Sequence, residues 1–308
     1  MVNEPFHGFG PHFAEGGLDG GESQFLRPCL IEWLHCENVR ISGVTLRNSG
    51  LWNTHLVYCD NVVVDGVSIQ NPADAPNGDG LSLDSCRNAR VSNTLFDTGD
   101  DCLTLKSGID ADGRRVNRPT EDVLISNCLF LRGHGGVVLG SELSGGIRRI
   151  LVTNCLFKGT DRGLRIKARR GRGGYAKDIR LTNCHFENTL SPFVINARYV
   201  CGARGDPVAS DPGPRPVDET TPIFDGIHIS QCTARGCIAA AMWISGLPEA
   251  PVRNLSLSDL LLETVSPDGE PKMAAMAYGA RKTRGAGMIL EHVEGLRKRD
   301  VELCSAAE

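Results

Sequence analysis

Four short stretches of the chain gather the groups that acid–base chemistry needs: Asn-Gly-Asp-Gly at 77–80, Gly-Asp-Asp-Cys at 99–102, Gly-His-Gly-Gly at 133–136 and Arg-Ile-Lys at 165–167. They supply three carboxylates (Asp79, Asp100, Asp101), one imidazole (His134) and two cations an i, i+2 step apart (Arg165, Lys167). Clustered carboxylates raise one another's pKa, so one can hold a proton while a neighbour stays ionised. That equipment fits hydrolysis of a glycosidic bond, in which one group protonates the leaving oxygen and another activates water. Arg and Lys beside it suit a substrate that carries a carboxylate. Each stretch alone has an ordinary explanation: an Asp-Gly turn, a His in an exposed glycine loop, a solvated cation. Only a fold that brings all four to one place gives the set meaning.

The surrounding sequence describes such a fold. Segments beginning at Glu37, Asp60, Arg87, Glu121, Arg148, Lys177, Asp225 and Arg253 repeat one pattern. Each has alternating β-branched or apolar residues, a polar corner rich in Ser, Thr, Asn, Gly or Gln, and a second short apolar run. The spacing varies while the motif does not, which is the signature of a parallel β-helix whose connecting loops lengthen freely. A further strand follows in most coils, at 80–85, 102–107, 136–141, 163–168, 192–197 and 241–246. The expected fold class is all-β: a single-stranded right-handed parallel β-helix, or solenoid. We read residues 1–308 as one domain, with clear repeats from about 30 to 267 and a Pro-rich surface loop at 201–222. The first 26 residues and those after about 268 do not show the repeat clearly.

Stacking the second strands joins the four motifs. Leu81, Leu103, Val137 and Leu164 begin consecutive strands; Asp79 and Asp101 stand two residues ahead of theirs, Asp100 and His134 three ahead. Arg165 and Lys167 then share one strand face, opposite Leu164 and Ile166. The patch spans four coils about 4.8 Å apart. His55 aligns with Ser82, and Lys106 aligns with Lys167 two coils away, so both are candidates for sugar subsites. Trp52 has two readings, a stacking platform for a sugar or a core residue. The spacing offers no three ligands for calcium or zinc, so neither metal nor cofactor is expected.

In this order on a β-helix, the motifs resemble those of glycoside hydrolase family 28, the polygalacturonases. The likeness runs from roughly Arg27 to Asp259. It implies an inverting single displacement without metal, with Asp100 as general acid, Asp79 and Asp101 holding and activating water, and His134 orienting or tuning the acid. It also implies that Arg165 and Lys167 bind a galacturonate carboxylate, and Tyr199, in Asn-Ala-Arg-Tyr-Val-Cys, is matched to a substrate-binding tyrosine. The implied substrate is a pectic polysaccharide or oligogalacturonide cleaved at α-1,4 linkages, with exo action favoured by the Tyr-Val-Cys-Gly segment and the Pro-rich loop. Another specificity of the family, such as rhamnogalacturonan hydrolysis, and a non-catalytic carbohydrate-binding β-helix are the alternatives. Two departures stand out: Gly78 where the family has Thr, and Ser82 where it has a second Asp. Relatives carry earlier coils and a capping helix, so a short enzyme and a fragment with an exposed edge are both open readings.

Composition removes other classes. A net charge of −4 gives no general case for nucleic acid. No stretch approaches the roughly 20 apolar residues of a membrane span, so no membrane partner is expected. The N-terminus has neither the basic start nor the apolar core of a signal peptide. Localisation stays open between the cytoplasm and, for a truncated N-terminus, secretion. The chain has 12 cysteines but no Cys-x-x-Cys. Cys128, Cys155, Cys184 and Cys232 fall at one repeat position, and Cys36, Cys59 and Cys86 at another. Ladders of small buried thiols are expected rather than disulfides.

Overall fold

The computed structural model describes residues 27–201 and 205–306. The N-terminal stretch read above for a signal peptide lies outside these residues. The chain coils into a right-handed parallel β-helix. One sheet has nine strands: Ile31–Leu34, Thr54–Val57, Leu81–Asp84, Leu103–Lys106, Val137–Gly140, Arg162–Lys167, Ser191–Asn196, Ala240–Ser245 and Ala286–Glu291, adjacent in chain order. A sixteen-stranded sheet forms the rest of the wall, its two parallel ladders joined through the long Ile223–Cys237 strand.

The polar corners of the repeat are where the chain turns. Asn93, Asn127, Asn154, Asn183 and Gln231 occupy equivalent corners with φ between 51° and 56°, and Gly43 and Gly66 do so at 64°. Left-handed backbone is costly for most L-residues and least so for Gly and Asn, which explains the residue types there. The asparagines also bond along the axis, as in Asn183 Nδ2 donating to Asn154 Oδ1 at 2.8 Å.

Inside, like packs on like. Phe96, Phe130, Phe157 and Phe186 form a column of near-parallel rings with centroids 4.5–5.1 Å apart. The thiol ladders are present: Cys128, Cys155, Cys184 and Cys232 are buried, as are Cys59 and Cys86. Every cysteine among the described residues is a free thiol.

The repeat extends further than its sequence suggested. Ala286–Glu291 pairs in register with Ala240–Ser245, and Arg297–Ser305 with the Val252–Thr264 strand, so the coil continues past 268 to 305. Three insertions interrupt it. A seven-residue helix, Asp110–Val116, follows the Leu103–Lys106 strand. The Pro-rich stretch carries a short helix, Pro207–Ser210, and is tied down: Arg170 donates to the carbonyls of Val208 and Gly213 and pairs with Glu249. The third, between Thr264 and Ala286, contains a two-stranded hairpin, Lys272–Met273 with Lys282–Thr283.

Candidate active site

The register is the one the stacked strands require. Leu81 pairs with Leu103, Leu103 with Val137, and Val137 with Leu164. These apolar side chains fill the core, while Asp79, Asp100, Asp101, His134, Arg165 and Lys167 converge at the outer face of the nine-stranded sheet. The glycines of the motifs make room for them. A Cβ on Gly80 would stand 2.3 Å from the Cys102 carbonyl oxygen, and one on Gly135 would stand 2.4 Å from Val138 and 3.0 Å from Asp101 Oδ1.

Asp101 is the hub. Its Oδ1 lies 3.0 Å from Arg165 Nη1 and its Oδ2 lies 2.7 Å from Lys167 Nζ. Arg165 and Lys167 point away from the core, as expected, yet both are buried, and they pair with a protein carboxylate rather than standing open. Tyr199 packs beneath them, its ring centroid 5.6 Å from the guanidinium carbon and 5.2 Å from the ammonium. Burial alone would raise the Asp101 pKa, but Lys167 and then Arg165 outweigh it and hold the carboxyl well below the usual carboxylate range. Asp79 is the opposite case. Burial first, and the neighbouring Asp100 second, push its pKa well above that range, with Lys106 opposing. The carboxyl that the fold drives toward its protonated form is therefore Asp79, which the family likeness casts as a water-holding group.

Asp100 is half-buried and locally braced. Its Oδ1 accepts from the Asp101 backbone N–H at 2.9 Å, and its carbonyl accepts from the His134 N–H at 3.1 Å. His134 is held by a residue that the sequence reading missed. Nδ1 of the imidazole lies 2.9 Å from Asp161 Oδ2, and that oxygen is 3.2 Å from Arg162 Nη1. The Asp161 hydrogen bond raises the His134 pKa against the effect of partial burial, with Asp100 adding to the rise.

Other expected subsites fare differently. Lys106 aligns with Lys167 through Gly140, but its Nζ pairs with Glu142 at 2.8 Å and sits 4.3 Å from the Trp52 ring centroid. Burial opposes the charge on Lys106, yet Glu142 and Asp79 keep its pKa above the ordinary value. Lys106 and Tyr199 thus line the site from within. Trp52 is buried, which favours the core reading over an open stacking platform. Ser82 is buried and its hydroxyl is bonded to Thr104 Oγ1 at 2.7 Å, so this departure from the family pattern closes into the sheet. His55 does align with Ser82, but it is fully buried, with Nδ1 2.9 Å from Glu32 Oε1. Glu32, His55 and Cys29 place a ligand atom each within 4.8 Å of one another, a grouping that sequence spacing did not reveal.

The 265–285 insertion also belongs to the site and was not foreseen. Arg162 donates to the carbonyls of Ala274 and Met273, Asn196 to that of Met276, and Met276 Sδ lies 3.6 Å from Arg165 Nη2. The insertion walls the cationic end of the patch.

The model of the family described as glycosyl hydrolases family 28 matches residues 5–210. A probable polygalacturonase of Vitis vinifera is 33% identical over 254 residues, 80% of this chain and 50% of that relative. An exo-poly-alpha-D-galacturonosidase of Dickeya chrysanthemi is 34% identical over 169 residues, 55% of this chain and 28% of that relative. The crystal structure of a hyperthermoactive exopolygalacturonase from Thermotoga maritima superposes with a TM-score of 0.71 at 29% identity, covering 91% of this chain and 56% of that one. The chain thus spans half or less of the length of these two curated relatives.

Proposed function

The chain belongs to glycosyl hydrolases family 28, and from that membership we propose that it hydrolyses α-1,4-galacturonosyl linkages in polygalacturonate or its oligomers, by an inverting mechanism and from the chain end. The observation that carries the reading is the buried Asp101–Arg165–Lys167 cluster beside Asp79 and Asp100. A galacturonate carboxylate is the chemical equivalent of the Asp101 side chain, so it competes for the same two cations. As Arg165 and Lys167 turn toward the substrate, Asp101 loses the partners that depress its pKa and becomes a better base. Binding of the correct anionic sugar thereby switches on the group that activates water. Burial and the neighbouring Asp100 push the Asp79 pKa upward, and Asp100, the more accessible of the two, acts as the acid that protonates the leaving oxygen. Water attacks the anomeric carbon from the opposite side, guided by Asp79 and Asp101, and gives up its proton to Asp101. The exo preference is supported by the exo-acting names among the relatives.

Release of reducing ends from polygalacturonate, with the lengths of the products, tests the proposal. Monomer or dimer as the sole early product is expected; a ladder of oligomers would overturn exo action, and no release would overturn hydrolysis. Asp100→Asn keeps the shape and removes the proton, and a loss of about 10²–10⁴-fold in kcat is expected.

A further inference from the structure

We propose that Cys29, Glu32 and His55 form a binding site for a zinc-class divalent cation at the N-terminal end of the candidate cleft. The three residues present a thiol sulfur, a carboxylate oxygen and an imidazole nitrogen, all within 4.8 Å of one another. Zinc takes Cys, His and carboxylate ligands at about 2.0–2.3 Å, and three protein ligands leave a fourth position open. That mixed sulfur, nitrogen and oxygen set excludes the hard cations calcium and magnesium, which require oxygen alone.

Their placement in the fold is not accidental to the sheet. Glu32 pairs with His55, and His55 with Ser82, so the two ligands stand in the same outward row that leads through Thr104 and Val138 to Arg165. Cys29 stands two residues ahead of Ile31, the relation that Asp79 has to Leu81 and Asp101 to Leu103. The site therefore continues the polar rows of the cleft into the first described rungs. Cys29 belongs to neither thiol ladder, so coil stacking does not account for it.

The ligands also combine rigidity with adjustment. His55 is completely buried and meets Trp52 edge to face, with ring centroids 4.8 Å apart, so its orientation is fixed. Glu32 is half exposed and can move the short distance that tetrahedral geometry demands. On binding, the metal replaces the proton between His55 Nδ1 and Glu32 and the thiol proton of Cys29; both protons leave to solvent. A hydrogen-bonded His–Glu pair alone needs no sulfur beside it.

The test uses the full chain, stripped with a chelator under reducing conditions and titrated with zinc chloride by calorimetry. Cobalt(II) serves as a spectroscopic probe. The expected result is one equivalent of zinc per chain, a rise in Tm with zinc, and a near-ultraviolet sulfur-to-cobalt charge-transfer band. Cys29→Ser should abolish that band and weaken zinc binding by at least ~10-fold, and Glu32→Gln should weaken it in the same direction. Neither residue is fully buried, so both variants should match the wild-type Tm without metal. Absence of zinc binding by the wild-type chain would overturn the proposal. So would a charge-transfer band and affinity that survive Cys29→Ser, which would assign the ion to another thiol. Hydrolysis is not the readout, so the outcome is independent of the proposed activity.

Discussion

Asp161 fixes what His134 can do. A neutral imidazole has one donor and one acceptor nitrogen, and an Nδ1 held against a carboxylate carries its proton there, leaving Nε2 as the acceptor. The folded-state pKa of His134 is raised, so the pairing stabilises the protein fully below the ordinary histidine pKa, and that stability is lost as pH rises through the raised value. In Asp161→Asn, an NMR titration should find the His134 pKa moved downward, and the variant's stability should fall most in mildly acidic solution. A second test concerns the cations. Arg165→Lys keeps the charge but loses the planar fork, and Lys167→Ala removes one partner of a buried carboxylate. Both should lose far more activity on polygalacturonate than on a methyl-esterified substrate. Because Asp101 is buried between them, Lys167→Ala should also cost stability, by about 3–5 kcal/mol for a broken buried pair, read by denaturant melts. Asp79, Asp100, Asp101, His134, Arg165 and Lys167 were legible because each sits at a fixed offset from a strand start. Asp161 and Glu142 were not, since each is a single acid in a turn, a setting where solvated acids are common.

At the scale of elements, the corner and the column carry the fold. Asn at a left-handed corner, small thiols behind it and Phe stacked on Phe made the coils readable from sequence. The last coils were less readable for a physical reason. Arg297–Ser305 has one neighbour only, its residues are largely exposed, and the clean inward–outward alternation is lost. The 265–285 insertion was invisible for another: its contacts to Arg162, Asn196 and Arg165 join positions about a hundred residues apart with no periodic signal. Phe157 lies in the middle of the aromatic column, fully buried between Phe130 and Phe186. Phe157→Ala should cost about 3–5 kcal/mol in equilibrium unfolding, because neighbouring rungs cannot close the cavity without breaking register.

For the molecule as a whole, each coil touches mainly the coils on either side, so stability accumulates along one axis. No covalent tie among the described residues crosses that axis, since all the cysteines there are thiols. A reductant should leave Tm unchanged; a fall in Tm with reductant would reveal disulfides and contradict the thiol ladders. The spacing of the coils has a final consequence for specificity. The aromatic column runs directly below the cleft, where a Cβ on Gly136 would strike the Phe157 ring at 2.4 Å and one on Gly163 the Phe186 ring at 2.2 Å. The rings stand 4.5–5.1 Å apart, in step with the spacing of about 4.8 Å that backbone hydrogen bonds impose on parallel strands, and that spacing sets the distance between successive functional side chains. The strand ladder is a ruler with graduations that no single substitution can rescale. A solenoid built on it can vary which groups stand at each mark and how its insertions wall the cleft, but the pitch at which it reads a polymer is fixed.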